Sequence, residues 1–251
     1  MIRLCCVLLL LALPLRAEQV VADLSQTNIS ITTSFEGSDI FVFGAVSRVA
    51  PPPDEAPLNV VVEVVGPSGP VLVRRKARRL GIWVNTDAVE VDRAPHFIAL
   101  ASTGPLDEVI SFTEMMRHSI GYEHHVKLID APGDVAEVQS FREAVIRIRE
   151  AEGLYRRLPG SVKLTDETLF STQIDLPANL VEGDYIARVF LTRGEDVVDF
   201  YETTIAVRKT GLERFLFTLA HEQPLVYGLM SIFVALVAGW GAAQVFVLFR
   251  R

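Results

Sequence analysis

The sequence predicts a mainly β protein: an immunoglobulin-like β-sandwich with an inserted helical hairpin, followed by one C-terminal transmembrane helix. Three observations lead there. Alternating or β-branched runs, separated by Gly and Pro turns, fill both ends of the segment 18–210. Two stretches of helical period interrupt them between about residues 104 and 157. The long uncharged apolar stretches lie at the two ends of the chain, Leu4–Leu15 and Leu225–Phe249.

At the N-terminus, Arg3 gives a positive n-region, Leu4–Leu15 a twelve-residue apolar core, and Ala17 the small residue before a cut at Glu18. Residues 1–17 therefore read as a signal peptide. Twelve residues of helix rise only about 18 Å, short of a hydrocarbon core of about 30 Å. Cys5 and Cys6 both lie in this segment, so the mature chain has no thiol for a disulfide, for nucleophilic catalysis or for a thiolate metal site.

The first half of the exported part reads as strands. Ile29–Phe35 alternates, Glu36-Gly37-Ser38 turns, and Asp39–Val46 follows. Pro51-Pro52-Pro53 and Pro57 bracket a loop. Leu58–Val65 is a nearly continuous β-branched run, the pattern of a strand covered on both faces. Gly66-Pro67-Ser68-Gly69 turns the chain into Pro70–Arg75, and Gly81–Asn85, Ala88–Val91 and His96–Ala101 read as further strands. Trp83 reads as a core residue and Asn85 as a turn residue.

The first helix opens at Gly104, with Pro105 at N1 and Asp107 and Glu108 in the first turn. Leu106, Val109, Ile110, Thr113, Met116 and Ile120 repeat at helical spacing until Gly121. The second helix follows Pro132-Gly133, with Asp134 and Glu137 in a capping-box pattern. Val138, Phe141, Val145 and Ile148 form its apolar stripe, Gly153 weakens it, and Pro159-Gly160 ends it.

Strands resume at Val162. Phe170–Leu176, Gly183–Thr192 and Asp196–Arg208 form an antiparallel set, the last two joined by the turn Arg193-Gly194-Glu195. Gly183-Asp184-Tyr185, entering a late strand after the corner at Pro177, suggests the immunoglobulin-like architecture. One sandwich accounts for the strands; two small β domains joined by the helices is the alternative.

Residues 211–223 follow as a juxtamembrane amphipathic segment, with Leu212, Phe215, Leu216 and Leu219 at helical spacing. Residues 225–249 then hold no charge over 25 positions, about 37 Å of helix, so 224–249 is long enough to cross a bilayer with some tilt. Arg250 and Arg251 make a cytoplasmic tail at 250–251 by the positive-inside rule. The expected location is the bacterial inner membrane, single-pass, with the N-terminal domain periplasmic and the C-terminus cytoplasmic.

The segment between signal and span holds 31 acidic and 20 basic residues, a net charge of −11. That balance argues against nucleic acid as a partner and against broad adhesion to anionic headgroups.

One block carries a resemblance. Val73-Arg74-Arg75-Lys76-Ala77-Arg78-Arg79-Leu80-Gly81-Ile82-Trp83-Val84-Asn85, then Ala94-Pro95-His96-Phe97 and Ala101-Ser102-Thr103-Gly104-Pro105-Leu106, is similar to an alphaproteobacterial transmembrane protein family, the Gly-Ile-Trp-Val-Asn block being the most specific part. The resemblance covers most of the chain and implies an exported domain with a C-terminal span. Members have no established activity, and some are encoded beside sulfite-exporter-like permeases. It implies an integral membrane permease as partner and brings no catalytic residues.

Direct inspection agrees on the last point. The chain has no G-x-S-x-G, P-loop, G-x-G-x-x-G, C-x-x-C or H-E-x-x-H. No cofactor is implied. Three clusters remain. Arg74, Arg75, Lys76, Arg78 and Arg79 offer an anionic ligand or an acidic partner five positive charges, against the plainer reading of an edge strand protected by charge. Glu114 and His118 share a helical face, with Glu123, His124 and His125 just beyond Gly121; these imidazoles and carboxylates are weak candidates for zinc or copper, or else a solvated helix end. In the span, Ala235, Gly239, Ala242 and Ala243 form a small-residue stripe with Gln244 beside it, suited to helix–helix packing, although Gly and Ala are common in such helices. The expected role is that of a non-enzymatic accessory or interaction protein associated with a permease; the alternative is a periplasmic anion- or metal-binding module.

Overall fold

The computed structural model describes residues 18–32, 35–48, 56–128, 135–210, 216 and 219–249. The expected signal peptide at 1–17, the loop prolines 51–53, the N-cap Asp134 and the tail at 250–251 lie outside the described residues. Contacts divide the chain into two units, one of residues up to Ile29 with Phe35–Val207, the other of Ser30–Ser34 with Arg208–Arg251.

The first unit is mainly β, as expected. Its first strand, β1 (Glu18–Leu24), is absent from the sequence reading; it alternates buried and exposed positions on the rim of a sheet. β2 (Asn28–Ile31) follows, then β3 (Ser38–Arg48), β4 (Leu58–Val65), β5 (Ser68–Arg79), β6 (Ile82–Pro95) and β7 (Ile98–Ser102). After the helical segment come β8 (Tyr155–Pro159), β9 (Lys163–Thr165), β10 (Leu169–Leu176), β11 (Gly183–Arg193) and β12 (Asp196–Lys209).

Two sheets and a ribbon result. The first sheet runs β1-β3-β10-β9, the second β2-β12-β11-β4-β7-β8, and β5-β6 stand as a separate pair. In the first sheet Ile40, Val42, Phe170 and Ile174 point into the core, while Phe41, Phe43, Val21 and Leu169 alternate outward. β4 is buried along both faces, as its β-branched run predicts. At the entry to β11, the Tyr185 hydroxyl donates to the Val181 carbonyl at 3.0 Å, a tyrosine bonding back to the corner that precedes its strand.

The helical segment departs from the expected hairpin of two long helices. The first predicted helix is three short ones, α1 (Leu106–Val109), α2 (Phe112–His118) and α3 (Tyr122–His125). The chain is extended at Ile110, and Ser111 caps α2 by accepting from the Glu114 N–H at 3.4 Å. Ser119 in the left-handed region, φ 52°, ends α2, and the predicted stripe does not hold across the two breaks: Val109, Ile110 and Ile120 are buried, whereas Thr113 and Met116 face solvent and Glu114 is the buried residue of α2.

The second helix, α4 (Val135–Ala151), stops before Gly153, φ 70°, and not at Pro159. Tyr155–Pro159 is strand β8, parallel to β7. Parallel neighbours need a long crossover, and the helical segment supplies it. Its apolar side chains Val109, Ile110 and Ile120 pack on Val61, Leu100 and Phe190 of the sheet, while Tyr122, Val126, Val145 and Ile146 pack with Val91, Ile98 and Tyr155.

The second unit contains α5 (Pro224–Phe249), a helix of 26 residues, about 39 Å long. Residues 224–243 have a mean hydropathy of 1.9 over their most apolar window, sufficient to cross a membrane. Of the juxtamembrane segment, Leu216 and 219–222 are helical, whereas Leu212 and Phe215 lie outside the described residues.

Candidate functional site

The five cations of the basic block fall on β5, and the residues after them fold back as β6. Register pairs Arg79 with Ile82, Arg78 with Trp83, Lys76 with Asn85 and Arg75 with Asp87, with a bulge between Arg75 and Lys76. Leu80 and Gly81 form the tip at φ 50° and 89°, the positive values a two-residue hairpin turn needs. The predicted break between Gly81–Asn85 and Ala88–Val91 is not a break; one strand runs from Ile82 to Pro95.

Below the bulge the ribbon is held down. Val71 and Val73 pack against the cluster that includes Val91 and Val145. Arg75 lies 4.5 Å over the Phe141 ring and donates to Ser140 Oγ at 2.7 Å, fixing β5 to α4. A cleft of about 410 Å³ opens there, lined by Arg74, Arg75, Lys76, Ser140, Glu143 and Arg147 among others.

Above the bulge the ribbon extends outside both sheets. Leu80, Ile82 and Trp83 are 106%, 65% and 69% exposed. This corrects the reading of Trp83 as core, and Asn85 is a strand residue, not a turn residue. Among the described residues, Arg74, Lys76, Arg78 and Arg79 make no salt bridge, although the domain has carboxylates in excess. The signal for this arrangement was present in the sequence: a basic strand and an apolar strand meeting at a single glycine.

The histidine cluster is divided. Glu114 Oε2 lies 3.4 Å from His118 Nε2, and Glu114 also pairs with Arg117. His125 turns to the sheet, with Nε2 3.2 Å from Glu63 Oε1. His124 lines a separate cleft with Glu123, Lys127 and Arg142, and burial pushes its imidazole below the usual histidine range. Among the described residues, no three His, Cys, Asp or Glu side chains form a group able to hold a metal ion.

Glu63 and Arg188 were not foreseen, although a lone carboxylate in the β-branched run of β4 calls for a partner. They are register neighbours on β4 and β11 and form a salt bridge there. Glu63 is fully buried and also accepts from the Gly121 N–H at 2.9 Å. Arg188 donates to the carbonyls of His118 at 2.8 Å and Ser119 at 3.0 Å. One ion pair thus fastens the end of α2 and the start of α3 to the sheet. A second joins Glu18 of β1 to Arg193 of β11 at 2.8 and 2.9 Å, with Arg48 at 2.8 Å.

These pairs set an acid limit on stability. Burial raises the Glu63 carboxyl, but the His125 hydrogen bond and charge, Arg188 and the Gly121 N–H outweigh it and hold the group below 4.5. The Arg193 hydrogen bond, opposed by burial and aided by Arg48, holds Glu18 low as well. Both folded-state values lie below the unfolded one, so their stabilisation is complete above the unfolded value and is lost as pH falls through the folded values. Thermal melts of the full-length protein in mild detergent should be flat down to about pH 5 and fall steeply below it; a flat profile to lower pH would contradict the assignment.

The fold and sites define a class: a β-rich domain with a protruding cationic ribbon, in a chain whose described residues include one helix long and apolar enough to cross a membrane. The chain belongs to the family described as "Putative transmembrane protein (Alph_Pro_TM)", whose model matches residues 19–248, and it is a membrane-anchored protein. No curated protein matches it. Among solved structures, the crystal structure of BslA, a bacterial hydrophobin, is similar at 13% identity over 77% of this chain and 97% of that one. Its TM-score of 0.21 is too low to support an argument.

Proposed function

We propose that this is a non-enzymatic accessory protein of the bacterial inner membrane, with its β domain in the periplasm and a partner bound through exposed surfaces. The observation that carries this reading is the β5–β6 ribbon. Within an acidic domain it presents residues 74–86, which hold five cations and no carboxylate. Long arginine side chains that make no salt bridge among the described residues, beside exposed Trp83, match the composition of interaction hot spots.

α5 offers a second contact. A Cβ added at Gly239 would meet nothing within 4 Å, so this face is open to another helix, with Ala235, Ala242 and Ala243 beside it. Gln244 lies on the same helix. A permease of the sulfite-exporter type is the proposed occupant.

The test is a mild-detergent pull-down of the tagged full-length chain beside two variants, Gly239→Leu and Lys76→Ser/Arg78→Ser/Arg79→Ser. A permease recovered with the parent and reduced about tenfold or more by either variant supports the reading and names the surface used. Recovery of the chain alone in all three cases contradicts it.

The cleft beneath the bulge favours a second reading, a periplasmic anion-binding module. Arg74, Lys76 and Arg147 line it around Ser140 with Glu143 as the opposing charge, a setting for a small oxyanion. Saturable binding of sulfate or sulfite that is abolished by Arg147→Ser would favour this reading.

A further inference from the structure

We propose that the tip of the β5–β6 ribbon inserts into the interface of an anionic lipid bilayer, a membrane contact separate from α5. The inference rests on the reading of the ribbon as the working surface and names what that surface takes.

The side chains are ordered along the ribbon as the layers of a bilayer surface are. Leu80, Ile82 and Trp83 form the extreme tip, all exposed. Arg79 and Arg78 follow directly as the cross-strand partners of Ile82 and Trp83, then Lys76 opposite Asn85. The first carboxylate on the returning strand is Asp87, opposite Arg75 and below the bulge. Apolar tip, cationic collar and acidic base correspond to acyl boundary, phosphate layer and water. Indole rings favour the headgroup level, and arginine pairs with phosphate in two-pronged contacts.

The turn itself adds weight. Leu80 holds a left-handed backbone, φ 50°, where Gly or Asn fits without strain, and it is fully exposed there. A strained position occupied by a large apolar side chain that touches nothing marks a surface kept for contact. The ten residues from Lys76 to Asn85 reach about 15 Å beyond the bulge, farther than the Debye length of about 8 Å. The tip therefore meets a negative surface with its own charge, screened from the carboxylates of the domain. Broad adhesion is opposed by the net charge of −11; a single point of attachment is not.

The test uses the full-length chain carrying Trp240→Phe, which leaves Trp83 as its one indole. The protein is reconstituted into phosphatidylcholine vesicles and into vesicles that also contain phosphatidylglycerol, each with brominated phosphatidylcholine as quencher. In a further arm, anionic brominated vesicles are added from outside to protein held in neutral ones. The expected result, in the arm the ribbon can reach, is blue-shifted Trp83 emission, quenching by brominated lipid and loss of access to aqueous iodide. Lys76→Ser/Arg78→Ser/Arg79→Ser should weaken the contact about 100-fold, with an unchanged melting profile as the folding control.

Trp83 that stays open to iodide and untouched by brominated lipid in every anionic arm overturns the proposal. Shielding without bromine quenching also overturns it and points to a second copy or another protein. Equal quenching in neutral and anionic bilayers removes the role of the cations and overturns it too. If the lipid arms fail while the pull-down still depends on the ribbon charges, the lipid falls and the interaction reading stands; if both fail, both fall.

Discussion

Replacing Arg188 with methionine is expected to destabilise the β domain by about 3–5 kcal/mol, a fall in melting temperature of about 10 °C or more. The cost comes from what is left behind. Glu63 is fully buried on the helix-covered face of β4 and loses its guanidinium partner, keeping, among the described residues, His125 and the Gly121 N–H. The carbonyls of His118 and Ser119 lose their donor at the same time. Adding Glu63→Leu to Arg188→Met should recover part of the loss, since an apolar pair of similar volume avoids the stranded charge. Recovery should be incomplete, because the Gly121 N–H and the two carbonyls stay unsatisfied. A single-variant cost below about 1 kcal/mol would mean that the pair is solvated and does not fasten the crossover to the sheet.

Gly44→Val is the second large effect, with an expected loss of about 3 kcal/mol or more. Gly44 sits mid-strand on β3 between Ala22 of β1 and Phe170 of β10. A Cβ there would stand 2.4 Å from the Val21 carbonyl oxygen, 2.5 Å from Phe170 Cζ and 2.9 Å from the Ala22 Cα. Two of those neighbours are backbone in paired strands, so they cannot step aside singly. The ring of Phe170 fills the place a side chain would take, which is why a glycine in a strand interior is tolerated here. Ala45→Val, one residue along and on the other face, should cost under about 1 kcal/mol. Urea unfolding of both variants separates the cases; equal behaviour would contradict the packing described.

The two ion pairs and Gly44 show where sequence reasoning reaches and where it stops. β4 was legible to the residue because strand burial on both faces imposes a β-branched run bounded by Pro57 and Gly66. α4 was legible in Phe141 and Val145 of its stripe, while Ile148 faces solvent and Ile146 is buried; its end was not legible, since Tyr155–Pro159 becomes a strand only by pairing in parallel with β7, a tertiary event with no local signature. The period Leu106, Val109, Ile110, Thr113, Met116 and Ile120 runs across the breaks at Ile110 and Ser119 and hid them, although Thr113 and Met116 turn to solvent. β1 was missed because its alternation is blurred in the sequence, with Glu18 on the buried face and Val21 on the exposed one, and because it opens beside the expected cut.

Of the candidate site, the five cations were legible from charge density alone. Their setting was not. Trp83 in an apolar run reads as core, and only the pairing of β5 with β6 outside both sheets turns it to solvent. Glu114 and His118 do meet, as helical spacing requires, while His125 is drawn away by a carboxylate 62 positions earlier in the chain.

The most direct test of the ribbon as the working surface places a photoreactive side chain at Trp83 of the full-length protein in its native membranes. The same side chain at exposed Glu90, lower on β6, is the control. The account predicts one defined adduct, to lipid or to a single protein, from position 83, absent from position 90 and lost when Lys76, Arg78 and Arg79 are changed to serine. Equal labelling from both positions, or labelling at 83 that ignores those charges, would contradict it.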